Sequence, residues 1–290
     1  MKSAAPALLR TIAELRTWRA ACGEQATGLV PTMGALHEGH ATLLRRARAE
    51  NEWVLASIFV NAPQFQRAED LALYPRSLER DLALCAAACA DAVYVPSDAE
   101  VYPESFATWV EPGPAAALYE GVSRPGHFRG VLTVVLKLLQ RVQPQRAYFG
   151  EKDAQQLFLV RRMIADFDLP VEVIPCSTVR EADGLALSSR NRRLTPNQRG
   201  AALCLIQSLQ AAQAAFQAGA VDPRRLEDAM AKVLARAAAE GAVIPDYAAV
   251  VDDRDFGPAQ ADVVGSWRAI VAAEVHGIRL IDNLALTARA

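Results

Sequence analysis

The chain has 290 residues, 52% of them hydrophobic, and a formal net charge of -2 at pH 7. This length predicts one large domain with a smaller one, or two of similar size. The charge gives no general attraction to nucleic acid or to an anionic membrane, and no apolar run approaches the roughly 18 residues of a spanning helix. We therefore expect neither nucleic acid nor a membrane among the partners.

The first 21 residues, MKSAAPALLRTIAELRTWRAA, carry charges at helical spacing and lack the continuous apolar segment of a secretory signal. We predict one amphipathic helix there and a cytoplasmic location. The five cysteines are odd in number and form no CxxC pair, so the sequence predicts neither a disulfide framework nor a zinc knuckle.

Apolar, β-branched runs alternate mostly with segments of helical periodicity in the next part of the chain. The runs are 27–32, 53–61, 91–96, 146–150 and 171–177. This alternation predicts an α/β fold with a Rossmann-like, doubly wound parallel sheet, covered on both faces by helices. Ligands of such sheets lie outside the carboxyl ends of the strands, and polar motifs follow four of these five runs.

The character of the sequence changes after about residue 185. Two long alanine-rich helices are predicted over 191–219 and 223–241, and the first has a Thr-Pro start signal. Short strand candidates follow at 247–252, 267–275 and 279–283. We therefore predict a second, smaller α/β C-terminal domain, with the two domains spanning residues 1–184 and 185–290.

The string PTMGALHEGH, Pro31–His40, joins the first predicted strand to a helix. Gly34 permits a tight turn, and His37 and His40 lie on one side of the helix start. The N–H groups and dipole of a helix start favour anions, so two imidazoles there suit triphosphate oxygens, while Gly39 lets a flat base approach. A histidine-rich turn that only caps a helix, or a two-histidine metal site without a third ligand, is the alternative.

Two further motifs can supply positive charge to a phosphate. In GEKD, Lys152 stands between a predicted strand and the following helix, although a solvated lysine–aspartate turn has the same pattern. In SSRN, two serine hydroxyls and Arg190 suit closure over a polyphosphate, although serine-rich turns are common.

Several isolated polar residues complete the set of candidates. Gln64 and Gln156 are neutral amides that donate and accept hydrogen bonds, which suits a substrate with hydroxyls and a carboxylate. Asp81 is either a carboxylate on the magnesium side or an ordinary helix-surface charge. His127, in RPGHF, either touches a nucleotide or caps a loop, and the sequence leaves it unassigned.

The Hx(x)GH pattern after the first strand resembles the signature of the adenylyl-transferring superfamily, which includes cytidylyltransferases and class I aminoacyl-tRNA synthetases. The longer strings PTMGALHEGH, YPRSLERD, RPGHFRGVLTVVLKL, YFGEKDAQQL and LALSSRNRRL, in this order, resemble the pantothenate synthetase (pantoate–beta-alanine ligase) family over about residues 28–195. Members usually read Asn-Pro-x-Gln-Phe where this chain reads Asn61-Ala62-Pro63-Gln64-Phe65. The proline has moved by one residue, and the spacing of Asn61 and Gln64 is kept.

The resemblance implies a set of site residues. The implied catalytic residues are His37, His40, Lys152 and Arg190. The implied ATP-binding residues are Met33, Gly34, Ala35, Leu36, His37, Glu38, Gly39, His40, Gly150, Glu151, Lys152, Asp153, Val179, Leu187, Ser188, Ser189 and Arg190. Pantoate would contact Asn61, Gln64 and Gln156, with Gln64 also near beta-alanine, and Asp81 would lie near Mg²⁺. The domain 1–184 would bind ATP and pantoate, and the domain 185–290 would be a lid.

The implied reaction condenses (R)-pantoate with beta-alanine to pantothenate through a pantoyl adenylate, and splits ATP to AMP and pyrophosphate with Mg²⁺. A homodimer is implied as well. The first alternative is a nucleotidyltransferase that leaves the nucleotide on its product, against which the two glutamines and GEKD argue. The second is a nucleotide-sensing protein without turnover, which would have no use for a second substrate pocket.

Overall fold

The computed structural model describes residues 5–261 and 266–288. The described residues form two compact units. The first lies within Met1–Glu151 and Leu159–Ser177, and the second within Lys152–Phe158 and Thr178–Ala290. A short piece of the GEKDAQQ segment therefore groups with the C-terminal part of the chain. The boundary predicted between residues 184 and 185 stays a prediction.

The first unit contains the predicted parallel sheet. Its strands are β1 (Ala7–Leu9), β2 (Thr27–Thr32), β3 (Trp53–Ile58), β4 (Ala92–Tyr94), β5 (Arg146–Gly150) and β6 (Glu172–Cys176). They lie in the order β1-β4-β3-β2-β5-β6, and every neighbouring pair is parallel. Most residues of β2 and β3 are buried, as expected for strands whose two faces are both covered, which explains their continuous apolar runs.

Eight α-helices occur between residues 12 and 166. They are α1 (Ile12–Ala21), α2 (Glu38–Glu50), α3 (Ala68–Ala72), α4 (Leu78–Ala87), α5 (Asp98–Val101), α6 (Glu120–Ser123), α7 (His127–Val142) and α8 (Ala154–Asp166). The last of them, α8, begins in the second unit and ends in the first. Short 3-10 helices cover Ala62–Gln64, Pro114–Ala117 and Glu151–Asp153. None of the helices among residues 5–261 and 266–288 is long and apolar enough to cross a membrane.

The single helix predicted for the first 21 residues is wrong within the described part of that segment, and residues 1–4 lie outside it. The structure has the edge strand β1, which pairs with β4, before α1 begins. Thr11 ends the extended segment because it caps α1: its Oγ1 accepts the N–H of Glu14, and the Glu14 carboxylate accepts the N–H of Thr11. A three-residue strand is too short to show a period of two.

The strand order changes direction at β2. The chain proceeds from β2 to β3 and β4 on one side, and then returns to add β5 on the other side. In open parallel sheets, a crevice for ligands forms outside the carboxyl ends of the two strands at such a switch point. PTMGALHEGH runs from the end of β2 into α2 and Gly150 ends β5, so both segments lie at this edge of the sheet.

The second unit combines helices with a small antiparallel sheet, as the predicted C-terminal α/β domain requires. Its longer elements are α9 (Pro196–Ala202), α10 (Cys204–Gln217), α11 (Pro223–Ala239), β7 (Val243–Asp252), β8 (Trp267–Val275) and β9 (Ile278–Ala285). The sheet order is β7-β8-β9. The core contains the fully buried side chains of Trp267, Leu209, Leu226 and Met230.

The long helix predicted over 191–219 differs from the structure. A 3-10 helix at Ser189–Arg193 comes first, and α9 then starts at the Thr195 cap with Pro196 at its first position. Leu203 separates α9 from α10 while keeping right-handed backbone angles (φ -63°, ψ -17°). The apolar pattern continues through this break, which is why the sequence predicts one helix.

Candidate active site

The start of α2 carries both histidines of PTMGALHEGH. His37 caps the helix, and its Nδ1 accepts the N–H of Gly39 at 3.2 Å. Nδ1 of His40 accepts the N–H of His37 at 3.3 Å, and the two ring centroids lie 4.1 Å apart. Because each Nδ1 accepts a backbone N–H, the proton of each neutral imidazole lies on Nε2. Two N–H donors are therefore added to the positive end of a helix dipole.

The turn before α2 is held by a buried carboxylate. Asp81, in α4, is 2% exposed, and its two oxygens accept the N–H groups of Ala35 at 2.9 Å and Leu36 at 2.8 Å. Gly34 has φ +80°, and a Cβ there would lie 3.0 Å from Asp81 Oδ2. Glycine satisfies both the left-handed backbone and the close approach. Asp81 therefore shapes the turn, and its predicted contact with Mg²⁺ stays a prediction.

Thr32 fastens the end of β2 to the neighbouring strand and to the turn. Its Oγ1 donates to the carbonyl of Ser57 in β3 at 2.7 Å and accepts the N–H of Gly34 at 3.2 Å. Met33 is half-buried, and Glu38 is exposed and pairs with Arg45. The predicted segment from Met33 to His40 is thus one hydrogen-bonded turn.

The NAPQF segment forms a 3-10 helix after β3. Its displaced proline occupies the second helical position, where a missing N–H costs no hydrogen bond. Asn61 is 1% exposed, and its Nδ2 donates to Gln64 Oε1 at 3.0 Å and to the carbonyl of Gly130 at 3.1 Å. Asn61 Oδ1 accepts the hydroxyl of Tyr102 at 2.7 Å. The departure from the usual motif therefore leaves Asn61 and Gln64 in direct contact.

His127, unassigned by its sequence context, holds the backbone of Gln64. Its Nδ1 lies 2.9 Å from the Gln64 carbonyl, and its Nε2 lies 3.1 Å from Nη1 of Arg124. Because arginine can only donate, Nε2 accepts and Nδ1 carries the proton that is donated to Gln64. Arg124 Nη2 also donates to the same carbonyl, at 3.3 Å. His127 is 6% exposed and belongs to the support of the NAPQF turn.

The second unit contains a small cavity that is open to solvent. Lys152, Ser188, Arg190 and Arg279 contribute polar groups to its lining. Lys152 Nζ lies 3.7 Å from Asp153 Oδ1, and the lysine side chain is 18% exposed. Within the described ranges, the Arg190 guanidinium makes neither an ion pair nor a hydrogen bond. The cavity therefore combines two cations that the fold leaves weakly engaged.

Backbone and amide contacts place the residues around this cavity. Asn283, in β9, donates from Nδ2 to the carbonyl of Lys152 at 2.8 Å. Leu187 donates its N–H to the carbonyl of Val179 at 2.9 Å, and Ser188 Oγ accepts the N–H of Arg190 at 3.3 Å. Ser189 begins the 3-10 helix that carries Arg190. The predicted residues from Val179 to Arg190 thus form one folded-back segment.

The remaining predicted residues are not among those that line this cavity. Gly150 ends β5 in the first unit, and a Cβ there would meet nothing within 4 Å, so its surroundings are open. Glu151 begins the following 3-10 helix. Gln156 is half-buried in the first turn of α8, and its amide has no hydrogen bond to any residue in the described parts of the chain.

A parallel sheet with an anion-favouring helix start at its carboxyl edge is typical of α/β proteins that bind phosphorylated ligands. The model of the pantoate-beta-alanine ligase family matches residues 7–285. A pantothenate synthetase of Roseiflexus sp. (strain RS-1) is 50% identical over 281 residues, covering 97% of this chain and 99% of that protein.

Solved structures agree with the family match. The crystal structure of pantothenate synthetase from Thermus thermophilus is 48% identical, has a TM-score of 0.90, and covers 97% of this chain and 99% of that one. A pantoate-beta-alanine ligase from Francisella tularensis, complexed with beta-gamma ATP and beta-alanine, is 34% identical with a TM-score of 0.79, covering 97% and 98% of the two chains.

The chain belongs to the pantoate-beta-alanine ligase family. It is an enzyme, and its reaction is the ATP-dependent ligation of pantoate to beta-alanine, which gives pantothenate. The resemblance found in the sequence motifs is thereby confirmed.

Proposed function

We propose that the reaction proceeds in two steps through a pantoyl adenylate, and that the predicted residues divide between nucleotide and acid. The observation that carries the proposal is the start of α2, where two imidazole Nε2–H groups add to a helix N-terminus at the switch point of the sheet. This arrangement suits phosphate oxygens. The Francisella tularensis relative was solved with beta-gamma ATP, which supports a triphosphate as the ligand.

His37 and His40 would bind phosphate oxygens, and the turn from Met33 to Gly39 would hold the rest of the nucleotide. Because Asp81 occupies two N–H groups of this turn, the turn keeps one shape before the ligand arrives. Lys152 and Arg190 would add positive charge to the triphosphate, since the fold engages neither strongly. Charge that is already oriented needs no rearrangement as the reaction proceeds.

Gln64 and Gln156 would hold pantoate, with Gln64 also near beta-alanine. Both carry neutral amides, which bind hydroxyl and carboxylate oxygens without the cost of burying a further charge. Asn61 shares this assignment from the sequence, and its buried contacts support an indirect contribution through Gln64.

In the first step, a carboxylate oxygen of pantoate attacks the α-phosphorus, the bond to the bridging oxygen breaks, and pyrophosphate leaves with that electron pair. The carboxylate is already a nucleophile, so the protein supplies orientation and positive charge. In the second step, the unprotonated amine of beta-alanine attacks the acyl carbon. AMP leaves with the bridging oxygen, and the new amide nitrogen loses a proton to water.

Mg²⁺ belongs to the proposal through the family resemblance. No group of three or more His, Cys, Asp or Glu residues that could hold a metal ion occurs within residues 5–261 and 266–288. Magnesium commonly takes few protein ligands and completes its shell with phosphate oxygens and water, so the ion fits if it arrives with the triphosphate. When bound, it neutralises phosphate charge.

The family resemblance also supports a homodimer in the cytoplasm. Sedimentation of the purified protein measures its oligomeric state. Fractionation of cells that express the protein measures its location. The proposed lid role of residues 185–290 likewise stays a prediction.

Pyrophosphate exchange tests the two-step route. Labelled pyrophosphate should enter ATP when pantoate is present and beta-alanine is absent, because the amine takes part only in the second step. Omission of pantoate is the control and should abolish the exchange. Carboxylate oxygen labelled in pantoate should appear in AMP after complete turnover, since that oxygen bridges to phosphorus in the adenylate. Exchange that requires beta-alanine, or formation of ADP and phosphate, would overturn the proposal.

A nucleotidyltransferase would leave the nucleotide on its product and release no AMP. A nucleotide-sensing protein would bind ATP without releasing pyrophosphate. The same assay therefore separates these alternatives from the ligase.

A further inference from the structure

The carbonyl of Gly130 fixes the direction of two amide groups. A backbone carbonyl can only accept, so the Asn61 atom 3.1 Å from it must be the nitrogen Nδ2. The second partner of Nδ2, 3.0 Å away on Gln64, must then be an acceptor, which is Oε1. The Nε2 group of Gln64 is consequently turned away from Asn61 and makes no hydrogen bond within the described residues.

Tyr102 completes the contacts of the Asn61 amide. Its hydroxyl lies 2.7 Å from Asn61 Oδ1, and burial raises the pKa of Tyr102 to about 12, so the group remains a donor at ordinary pH. The tyrosine ring packs against Phe106, with ring centroids 5.0 Å apart, and stacks on Trp109 at 5.9 Å. These aromatic contacts restrict the ring and therefore the direction of its hydroxyl.

Close packing keeps Gly130 beside the NAPQF turn. A Cβ at residue 130 would lie 2.8 Å from the backbone nitrogen of Gln64 and 2.8 Å from the carbonyl carbon of Pro63. Glycine in α7 therefore allows the helix to touch the NAPQF turn, which brings the Gly130 carbonyl within reach of Asn61.

We infer that Tyr102 and the Gly130 carbonyl, acting through Asn61, orient Gln64 so that it meets the acid substrate only as a hydrogen-bond donor. This inference rests on the proposed function for the identity of the substrate. Gln64 then selects a group on pantoate that can only accept, a carboxylate oxygen, at the position that Nε2 faces. Tyr102 is a positioning residue, because its hydroxyl contacts Asn61.

Replacing the donor at residue 64 with an acceptor tests the direction of the hydrogen bond between Gln64 and pantoate. Gln64→Glu keeps an acceptor for Asn61 but presents a second oxygen where Nε2 stood. We expect the KM for pantoate to rise more in Gln64→Glu than in Gln64→Leu, because the anion repels an acceptor. A KM for Gln64→Glu near that of the parent would mean that Gln64 presents its oxygen, and the inference would fall.

Removal of one hydroxyl tests the role of Tyr102. Tyr102→Phe should raise the KM for pantoate by about two- to tenfold, the range for one neutral hydrogen bond, with the KM for ATP unchanged. Tyr148→Phe is the matched control, because the Tyr148 hydroxyl also contacts a buried asparagine, Asn51, at 2.6 Å. This control should lower the melting temperature without changing either KM. An equal rise in the pantoate KM for both variants would contradict the inference that Tyr102 orients Gln64 through Asn61.

A double-mutant cycle separates positioning from general loss of stability. If Tyr102 acts through Gln64, Tyr102→Phe should have no further effect on pantoate KM when Gln64 is already leucine. An undiminished effect in that background would overturn the inference. Absence of pantoate-dependent exchange in the parent would instead reject the proposed function, so the two failures are distinguishable.

Discussion

The two regions proposed to bind phosphate are built differently. In the first unit, the turn before α2 is fixed by Thr32, by the Asp81 carboxylate and by the histidines themselves, whose Nδ1 atoms accept backbone N–H groups. In the second unit, the Lys152 ammonium lies 3.7 Å from Asp153 Oδ1, and no described residue engages the Arg190 guanidinium.

This difference separates two ways of providing a site. In the turn, the hydrogen bonds that hold the fold are the ones that aim the donors, so a change that damages binding should also damage stability. In the cavity, the side chains of Lys152 and Arg190 make few contacts with the rest of the fold, so their removal should leave the protein folded. Catalytic loss and stability loss should therefore be coupled in the first region and independent in the second.

Removal of the lysine from the cavity should give the largest effect. Lys152→Ala should melt close to the parent and slow pyrophosphate exchange by about 100-fold or more, because a group that stabilises the transition state is lost. Lys232→Ala, on an exposed part of α11, is the matched control and should change neither quantity. If Lys152→Ala catalyses pyrophosphate exchange at the parental rate, Lys152 is an ordinary solvated lysine with no part in catalysis.

Truncation of Gln156 should give the next largest effect. An amide that binds a charged carboxylate contributes about 1.5 to 3 kcal/mol, so Gln156→Ala should raise the KM for pantoate by roughly ten- to a hundredfold while the KM for ATP changes little. Gln213→Ala provides a control, since that exposed amide donates to the carbonyl of Thr287 at 2.7 Å. Equal increases in the KM values for pantoate and ATP would contradict the assignment of Gln156 to the pantoate site.

A pair of glycine variants tests the coupling in the turn, with the smallest expected change in rate. Gly34 (φ +80°) and Gly23 (φ +60°) both have left-handed backbones, so alanine should cost each about 1–2 kcal/mol of unfolding free energy. Only Gly34→Ala also places a Cβ against Asp81 and should slow exchange about tenfold through misplaced donors.

Denaturant unfolding and exchange assays measure both quantities for the two variants. If Gly34→Ala slows pyrophosphate exchange but keeps the parental free energy of unfolding, binding and stability are not coupled in the turn before α2. Equal loss of activity in Gly23→Ala would assign the effect to backbone strain in general.

Local patterns in the sequence predict the main features of the fold. The runs at 27–32 and 53–61 are buried on both faces, so their apolar character alone indicates a covered parallel sheet. The string from Pro31 to His40 is continuous, and all of its proposed groups lie in one turn. The strand β1 is missed because three residues carry no period.

The supporting contacts are missed for a different reason. Asp81 is 46 residues from Ala35, Tyr102 is 41 residues from Asn61, and Asn283 is 131 residues from Lys152. Each pair is made by folding, and a single sequence contains no local signal for it. Residue types that can perform chemistry are recognisable along the chain, whereas the residues that orient them are defined by the packing of distant elements.

The grouping of Lys152–Phe158 with the second unit limits which fragments of this protein can be expressed alone and where recombination can join two related genes. The chain passes between the two units three times, after Glu151, Phe158 and Ser177. Within the second unit, Phe158 packs against the buried Phe256 with ring centroids 5.6 Å apart. No single cut in the gene yields a segment that encodes the whole second unit without also encoding residues 159–177 of the first. A fragment beginning at residue 178 would lack both Phe158 and Lys152, so recombination that exchanges C-terminal halves would separate this core contact and the proposed catalytic lysine from their module.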